Sequence, residues 1–501
     1  MNLKKFLKDA GSNYVIYGLQ LMLGVVQVPI FLNIYGDSLY GIYLLSIGMA
    51  SSFLFLQFGS GQTILRYVAE YLEDADQDKY SHAVTICMIL SSGSAISAFF
   101  IFLLVAVWRN SFFNIPSEYA TQSFWLFIAA GIYAFVLFLG QFPKSIVKGA
   151  GVFYARNRLA LIELCIRGVM IALVYFYAIS IYWLLMGEML ILLTGVFFDL
   201  IIISKLKTTL LSIDLVRMPS NTTLFSGDVW NYAKQTFLLS LVSFFSQGSD
   251  RLVIAIFLDV RFVTIYSIIT KPFGILKSLL SKVFIVLNPI FISILKRRGK
   301  ARLALFVNNN AQLLVLCVGL IAILLTAFIP DLYRLWLGSD KYNSYLIYTQ
   351  LLIFLLVVRS VTSLHNNALY TIGETSSLLK MSVALVGLNF LISAILTPLI
   401  GIAGVLIGTS IQLLFVGPLS LRIMDRFVGN EAEHEGIWVW YILTVMASAS
   451  SLLLVISAQS THTPVAINRI AIVVLVLVSI ILALGIVRKL TMMRRQKVRF
   501  D

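Results

Sequence analysis

Apolar runs of about 20 residues recur from one end of the chain to the other, separated by short segments where Lys, Arg, Asp, Gly and Pro collect. A helical run of that length crosses roughly 30 Å of hydrocarbon. Fourteen spans can be read: 13–35, 40–64, 83–108, 122–142, 158–178, 181–203, 233–257, 264–293, 303–329, 344–368, 378–397, 401–423, 437–457 and 467–487. No alternating apolar and polar pattern of a barrel strand occurs, so helices must satisfy the backbone inside the lipid. The pattern predicts an all-α polytopic membrane protein.

Composition agrees. The chain is 59% hydrophobic and 12% charged, with a mean hydropathy of +0.92, whereas soluble domains run near about 25% charged. No room is left for a sizeable soluble domain. Orientation follows the cations. With a cytoplasmic N-terminus, 26 of the 38 Lys and Arg fall on inside segments and five on outside loops. Both termini are therefore expected in the cytoplasm, with "KRRGKAR" at 296–302 and the tail "RKLTMMRRQKVRF" facing anionic lipid. That basic edge accounts for the net charge of +15 without nucleic acid. The first span is too long for a signal-peptide core and is expected to be retained. Cys87, Cys165 and Cys317 lie singly in apolar spans and form no metal or disulfide pattern.

The chain also repeats. "YGDSLYGIYLLS" follows the first span and "FLDVRFVTIYSI" follows the seventh; with one gap, Tyr43 falls on Tyr266. "KGAGVFYARNR" and "YTIGETSSLLK" follow the fourth and tenth spans. Both halves begin inside, so the expected axis runs along the membrane normal. The reading is an N-terminal six-helix bundle at 1–203 and a cytoplasmic linker at 204–232. A C-terminal six-helix bundle follows at 233–424, then two extra helices with a basic tail at 425–501.

Ten Lys and Arg fall within these bounds; Arg158, Lys380 and Arg422 stand at cytoplasmic ends and are counted inside, which leaves seven embedded. A cation at mid-bilayer costs about 2.5–3.5 kcal/mol on the lenient scale, so seven facing lipid would cost about 20 kcal/mol. They must face protein, water or a headgroup. In the eighth span Ser267, Lys271, Ser278 and Lys282 share one helical stripe, and Lys277 points away from it. The seventh span has a polar face of Ser240, Ser243, Ser246, Gln247 and Asp250, with Arg251 at its edge. Arg359, Ser363, Asn366 and Tyr370 share one side of the tenth, and Gln57, Gln62 and Arg66 lie near the end of the second. Glu163 and Arg167 stand at i,i+4 in the fifth, read as an intrahelical pair; Glu188 is in the sixth. Embedded bases outnumber embedded acids, which points to a ligand that supplies negative charge.

Four stretches carry a resemblance: "YGDSLYGIYLL", "FGSGQTILRYVAE", "SQGSDRLVIAIFLD" and "LTPLIGIAGVLIGTSI", supported by "NPIFISILKRRGKAR" at the exit of the eighth span. Over roughly 1–425 the chain resembles Wzx-type flippases of O-antigen and polysaccharide repeat units. These belong to the superfamily shared with multidrug and toxin extrusion transporters and the lipid II flippase. The resemblance implies two six-helix bundles forming a V that opens alternately to each side of the bacterial inner membrane. It implies an undecaprenyl-diphosphate-linked oligosaccharide as substrate, and it brings in membrane lipid, a polysaccharide polymerase and a chain-length regulator as partners. Arg66 matches a basic residue closing the second span, Lys271 and Lys282 stand where cavity cations are usual, and Asp250 matches the seventh-span acid.

The expected substrate-binding set is Lys282, Arg359, Lys271, Arg66, Arg251, Ser278, Asn366 and Gln247. Cations would hold the diphosphate, and hydroxyl and amide groups the sugars. No cofactor, metal or catalytic residue is expected. Coupling is left open between the membrane potential and H+ or Na+ exchange through Asp250, Glu163 or Glu188. Two negative charges moving outward gain about 4–5 kcal/mol per 100 mV. Three other readings compete. A lipid II flippase shares this chemistry, and a drug exporter of the same fold would want an acidic or aromatic cavity. A membrane glycosyltransferase or polymerase would need more than a longest loop whose only acids are Asp214 and Asp228.

Overall fold

The computed structural model describes residues 3–74, 77–205, 227–338 and 341–428. These residues form helices α1 (Leu3–Ser52), α2 (Ser60–Asp74), α3 (Gln77–Phe112), α4 (Ala120–Gly149), α5 (Phe153–Tyr177) and α6 (Ile181–Lys205). Helices α7 (Gly227–Gln247), α8 (Ser249–Phe257), α9 (Arg261–Leu337), α10 (Leu346–Ile372), α11 (Thr375–Ile400) and α12 (Ile402–Val428) follow. No strand occurs among the described residues, only an isolated bridge between Asn114 and Asp259. The chain is an all-α, multi-pass membrane protein. The predicted spans up to 401–423 all fall on these elements, whereas 437–457, 467–487 and most of the linker lie outside the described residues.

Nine stretches of the described residues are long and apolar enough to cross a membrane. Two exceed one crossing, at 43 residues (Val15–Gln57) and 77 residues (Arg261–Leu337). Each is divided at a glycine: Gly36 has φ 69 and ψ 174, and Gly299 has φ 79 and ψ 178. A side chain with a Cβ does not enter that backbone region, so these glycines set the turns.

The sequence reading made 40–64 and 233–257 continuous spans; both are interrupted. The first passes through a 3-10 turn at Phe53–Gln57 and then two left-handed residues, Phe58 (φ 50) and Gly59 (φ 71). The other breaks at Gly248 between α7 and α8. The two interrupted segments pack on each other. A Cβ on Gly59 would lie 1.9 Å from Thr236 Oγ1, Phe58 stacks on Phe237 at 4.4 Å, and Phe55 meets Phe244 at 4.8 Å. Apolar periodicity runs straight through such breaks, because residues on either side still face lipid or core.

The chain separates into two compact units, Met1–Thr264 with Thr397–Ile402, and Ile265–Leu396 with Ala403–Asp501. The seventh span, which the sequence repeat assigns to the second bundle, packs within the first unit. Thr264 donates its hydroxyl to the Asp37 carbonyl at 2.7 Å, joining the turn after the first span to the turn after the seventh. The core of the first unit includes Ile64, Val68, Val84, Cys87, Ile146 and Val147. In the second unit Phe284, Phe291, Leu303 and Val307 of α9 pack with Val361, Leu364 and Leu369 of α10, Leu378 of α11 and Met424 of α12.

Candidate functional site

In the second unit, the packing of α9 on α10 sets the positions of the cations. Phe284, in the shared core, stands seven residues after Lys277, so both occupy one helical face. Lys277 falls within the electrostatic reach of Arg359 on α10. The sequence stripe set Lys277 apart from Lys271 and Lys282. Helical phase groups residues, but the apolar side chains decide which phase meets the neighbouring helix, and that phase belongs to Lys277.

Lys271, Lys277, Ser278, Lys282, Arg359 and Asn366 are all half-buried. The Arg359 guanidinium has no ion pair among the described residues. No carboxylate could be drawn from the surrounding spans, because 265–330, 346–372 and 375–424 contain neither Asp nor Glu. Two buried oxygens on these helices have no hydrogen-bond partner: Ser267 Oγ, four residues before Lys271, and Asn366 Oδ1, seven after Arg359. A cationic, hydrogen-bonding surface of this kind suits an anion bearing hydroxyls.

The embedded charges of the first unit are paired differently. Arg156 at the start of α5 reaches Glu163 at 3.1 Å and both Asp199 oxygens at 3.1 and 3.2 Å. Gly195 leaves the space: a Cβ there would lie 3.1 Å from Glu163 Oε1. Arg167 pairs with Glu188 on α6 at 2.5 Å. A cavity of about 10 Å³ beside this pair, lined also by Gln27, has the size of one water. The predicted Glu163–Arg167 pair is therefore corrected: Glu163 pairs with Arg156 two turns back on its own helix, and Arg167 with Glu188 on α6. Arg156 and Asp199 were missed as a site, since spacing along one helix says nothing about partners on another.

The remaining predicted residues of this unit are dispersed. Arg66, on α2, is exposed, 2.7 Å from Glu70, and lies over the Tyr232 ring at 4.6 Å. The hydrogen bond to Glu70 raises its pKa further above the ordinary arginine value. Arg251 packs against Gly48, where a Cβ would lie 2.9 Å from Nη1. Asp250 is buried beside it. The Gln247 side chain lies outside the described residues. Of the predicted binding set, Lys271, Ser278, Lys282, Arg359 and Asn366 belong to the second unit, and Arg66, Gln247 and Arg251 to the first, as do Asp250, Glu163 and Glu188.

No family model matches the chain, and no curated protein matches it. Solved structures do. The lipid II flippase MurJ in an inward closed conformation aligns with a TM-score of 0.65 and 16% identity, covering 95% of this chain and 99% of that one. An inward-facing multidrug resistance MATE family transporter of the MOP superfamily aligns at 0.61 and 14%, covering 86% and 96%. The MATE multidrug transporter DinF-BH aligns at 0.56 and 13%, covering 85% and 96%. At these identities the likeness establishes the fold, which this chain shares with both kinds of transporter.

Proposed function

We propose that this protein is a flippase that carries undecaprenyl-diphosphate-linked oligosaccharide repeat units from the cytoplasmic to the periplasmic leaflet of a bacterial inner membrane. It works by alternating access, with both termini in the cytoplasm. The observation that carries the reading is the set of half-buried cations Lys271, Lys277, Lys282 and Arg359 on α9 and α10, where 265–330 and 346–372 hold no carboxylate and Ser267 Oγ and Asn366 Oδ1 are buried without a hydrogen-bond partner. Two like charges in a low-dielectric setting repel, and an anion entering between them relieves that repulsion. A diphosphate brings about two negative charges, and an arginine fork with an ammonium suits its oxygens. Ser267 and Asn366 offer hydrogen bonds to the first sugar, while the polyprenyl tail stays in lipid.

The same chemistry supports a second reading, transport of lipid II, which the likeness to MurJ over 95% of the chain favours. A cation or drug exporter is disfavoured, because it would place carboxylates or aromatic rings where these cations stand. Deleting the gene and identifying the lipid-linked glycan that accumulates separates the readings: a repeat unit supports the first, lipid II the second. Arg359→Ala and Lys277→Ala should each abolish export and leave the amount of protein in the membrane nearly unchanged. Full export by both variants removes the basis of the proposal.

A further inference from the structure

The first unit contains a second cavity, far along the chain from the cations and built from different chemistry. It is an open cleft of about 480 Å³ formed by the end of the first arm of α1, the first turn of α4, and the turn joining α5 to α6. That volume falls within the roughly 300–1,000 Å³ of small-molecule sites. Its polar lining is Tyr35, Thr121, Gln122, Ser180 and Tyr182, with no charged side chain. The Tyr35 hydroxyl donates to the Ile179 carbonyl at 2.7 Å, which fixes its ring in the wall. Ala178, in the same wall, caps α5 in a left-handed conformation (φ 46, ψ 43) that alanine rarely takes, its N–H bonded to the Val174 carbonyl.

The depth of the cleft is marked by exposed aromatics at the same helix ends: Trp108 on α3, Trp125 on α4, Tyr175 and Tyr177 on α5, and Trp183 on α6. Such a belt sits at headgroup level. The cleft therefore opens at the boundary between lipid and water, at the end predicted to face outward.

We infer that this cleft is a binding site for a neutral saccharide ring, the distal sugar of the translocated headgroup. The Tyr182 ring offers a flat apolar face to the C–H side of a pyranose, and the Thr121, Gln122 and Ser180 side chains meet its hydroxyls. The absence of charge in the lining disfavours phosphate and acidic sugars. The identity of the sugar's carrier rests on the flippase reading; the affinity for a neutral ring does not.

The experiment separates the two. Full-length protein in lipid nanodiscs is probed by saturation-transfer NMR with methyl glucoside, methyl galactoside and N-acetylglucosamine, with glucuronate as the charged control. Neutral sugars should bind, glucuronate at least five-fold more weakly, and Thr121→Val/Gln122→Leu should weaken neutral binding at least five-fold. These two positions lie in the accessible first turn of α4, and Tyr182→Phe, which keeps the ring, should retain most of the binding. Arg359→Ala should leave sugar binding intact. No binding of neutral sugars, or equal binding by the double variant, overturns the site. In cells the double variant should slow glycan export at least three-fold. Lost sugar binding with unchanged export assigns the sugar to another carrier and overturns the cargo role. Failure of the flippase reading shows instead as no lipid-linked glycan accumulating on gene deletion, whatever the sugar titrations give.

Discussion

Replacing Arg156 by Gln tests whether Glu163 and Asp199 are held by one guanidinium. Arg156 lies 3.1 Å from oxygens of both Glu163 and Asp199. At an effective dielectric near 20, each contact corresponds to about 5 kcal/mol of gross attraction. Desolvation of the three groups consumes much of that. Removing one partner from a buried pair nevertheless costs about 3–5 kcal/mol, because the charge left behind cannot regain water. The Asp199 side chain is 2% exposed, so it cannot escape. Arg156→Gln should therefore destabilise by about 3–5 kcal/mol. Adding Asp199→Asn should recover a large part, since Glu163 then faces Lys144, which already lies within electrostatic reach of both acids. The coupling energy should be about 2–3 kcal/mol, at the upper end for groups in one network. The assay is unfolding of the purified variants in mixed micelles, checked by the fraction surviving as a single peak after heating. A cost under about 1 kcal/mol, or strictly additive effects, refutes the shared-guanidinium argument.

Four further outcomes are expected. A reporter fused after Lys300 should behave as cytoplasmic and one fused after Leu337 as periplasmic; swapped behaviour reverses the proposed direction of transport. Gly59→Ala should destabilise by about 2 kcal/mol or more, measured by the same unfolding assay, because a positive φ and a clash with Thr236 act together. Ala178→Gly should stabilise by up to about 1 kcal/mol, since the left-handed conformation is free of penalty for glycine. Asp37→Cys with Thr264→Cys should form a disulfide, seen as a shift on non-reducing gels, and should stop export until reduced if these turns part during the cycle.

Much of the helical layout was legible in the sequence, because lipid imposes a single rule of length and apolarity on each crossing. The interruptions at 53–59 and at Gly248 were not. What breaks those spans is the close approach of α2 and α7 at Gly59 and of Ser52 to Gly248, a fact of tertiary packing that leaves hydropathy unchanged. Among site residues, periodicity grouped Arg359 with Asn366 on one side of the tenth span. It left Lys277 aside, because the face of α9 that meets α10 is chosen by Phe284 and its neighbours. Pairing was the least legible feature. Glu163 and Arg167 had an acceptable i,i+4 spacing, yet Arg156 and Arg167 reach across to Asp199 and Glu188 on α6, which spacing along α5 does not reveal.

The excess of embedded positive charge gains meaning from its distribution. Arg156 and Arg167 in the first unit each hold carboxylates, so an ion network suffices to explain them. Lys271, Lys277, Lys282 and Arg359 stand in spans without a single acid. At about 2.5–3.5 kcal/mol per cation on the lenient scale, four of them would cost about 10–14 kcal/mol if they faced lipid. Arg359 gains no ion pair among the described residues, and leucine there would avoid its desolvation. A ligand carrying two or more negative charges, held in passing and then released, gives a reason for both the cost and the missing acids. Permanent carboxylates there would compete with it. The direct test is Lys277→Leu/Arg359→Leu, which should raise thermal stability above the wild type while eliminating export. A double variant less stable than the wild type would mean that the cations serve the fold.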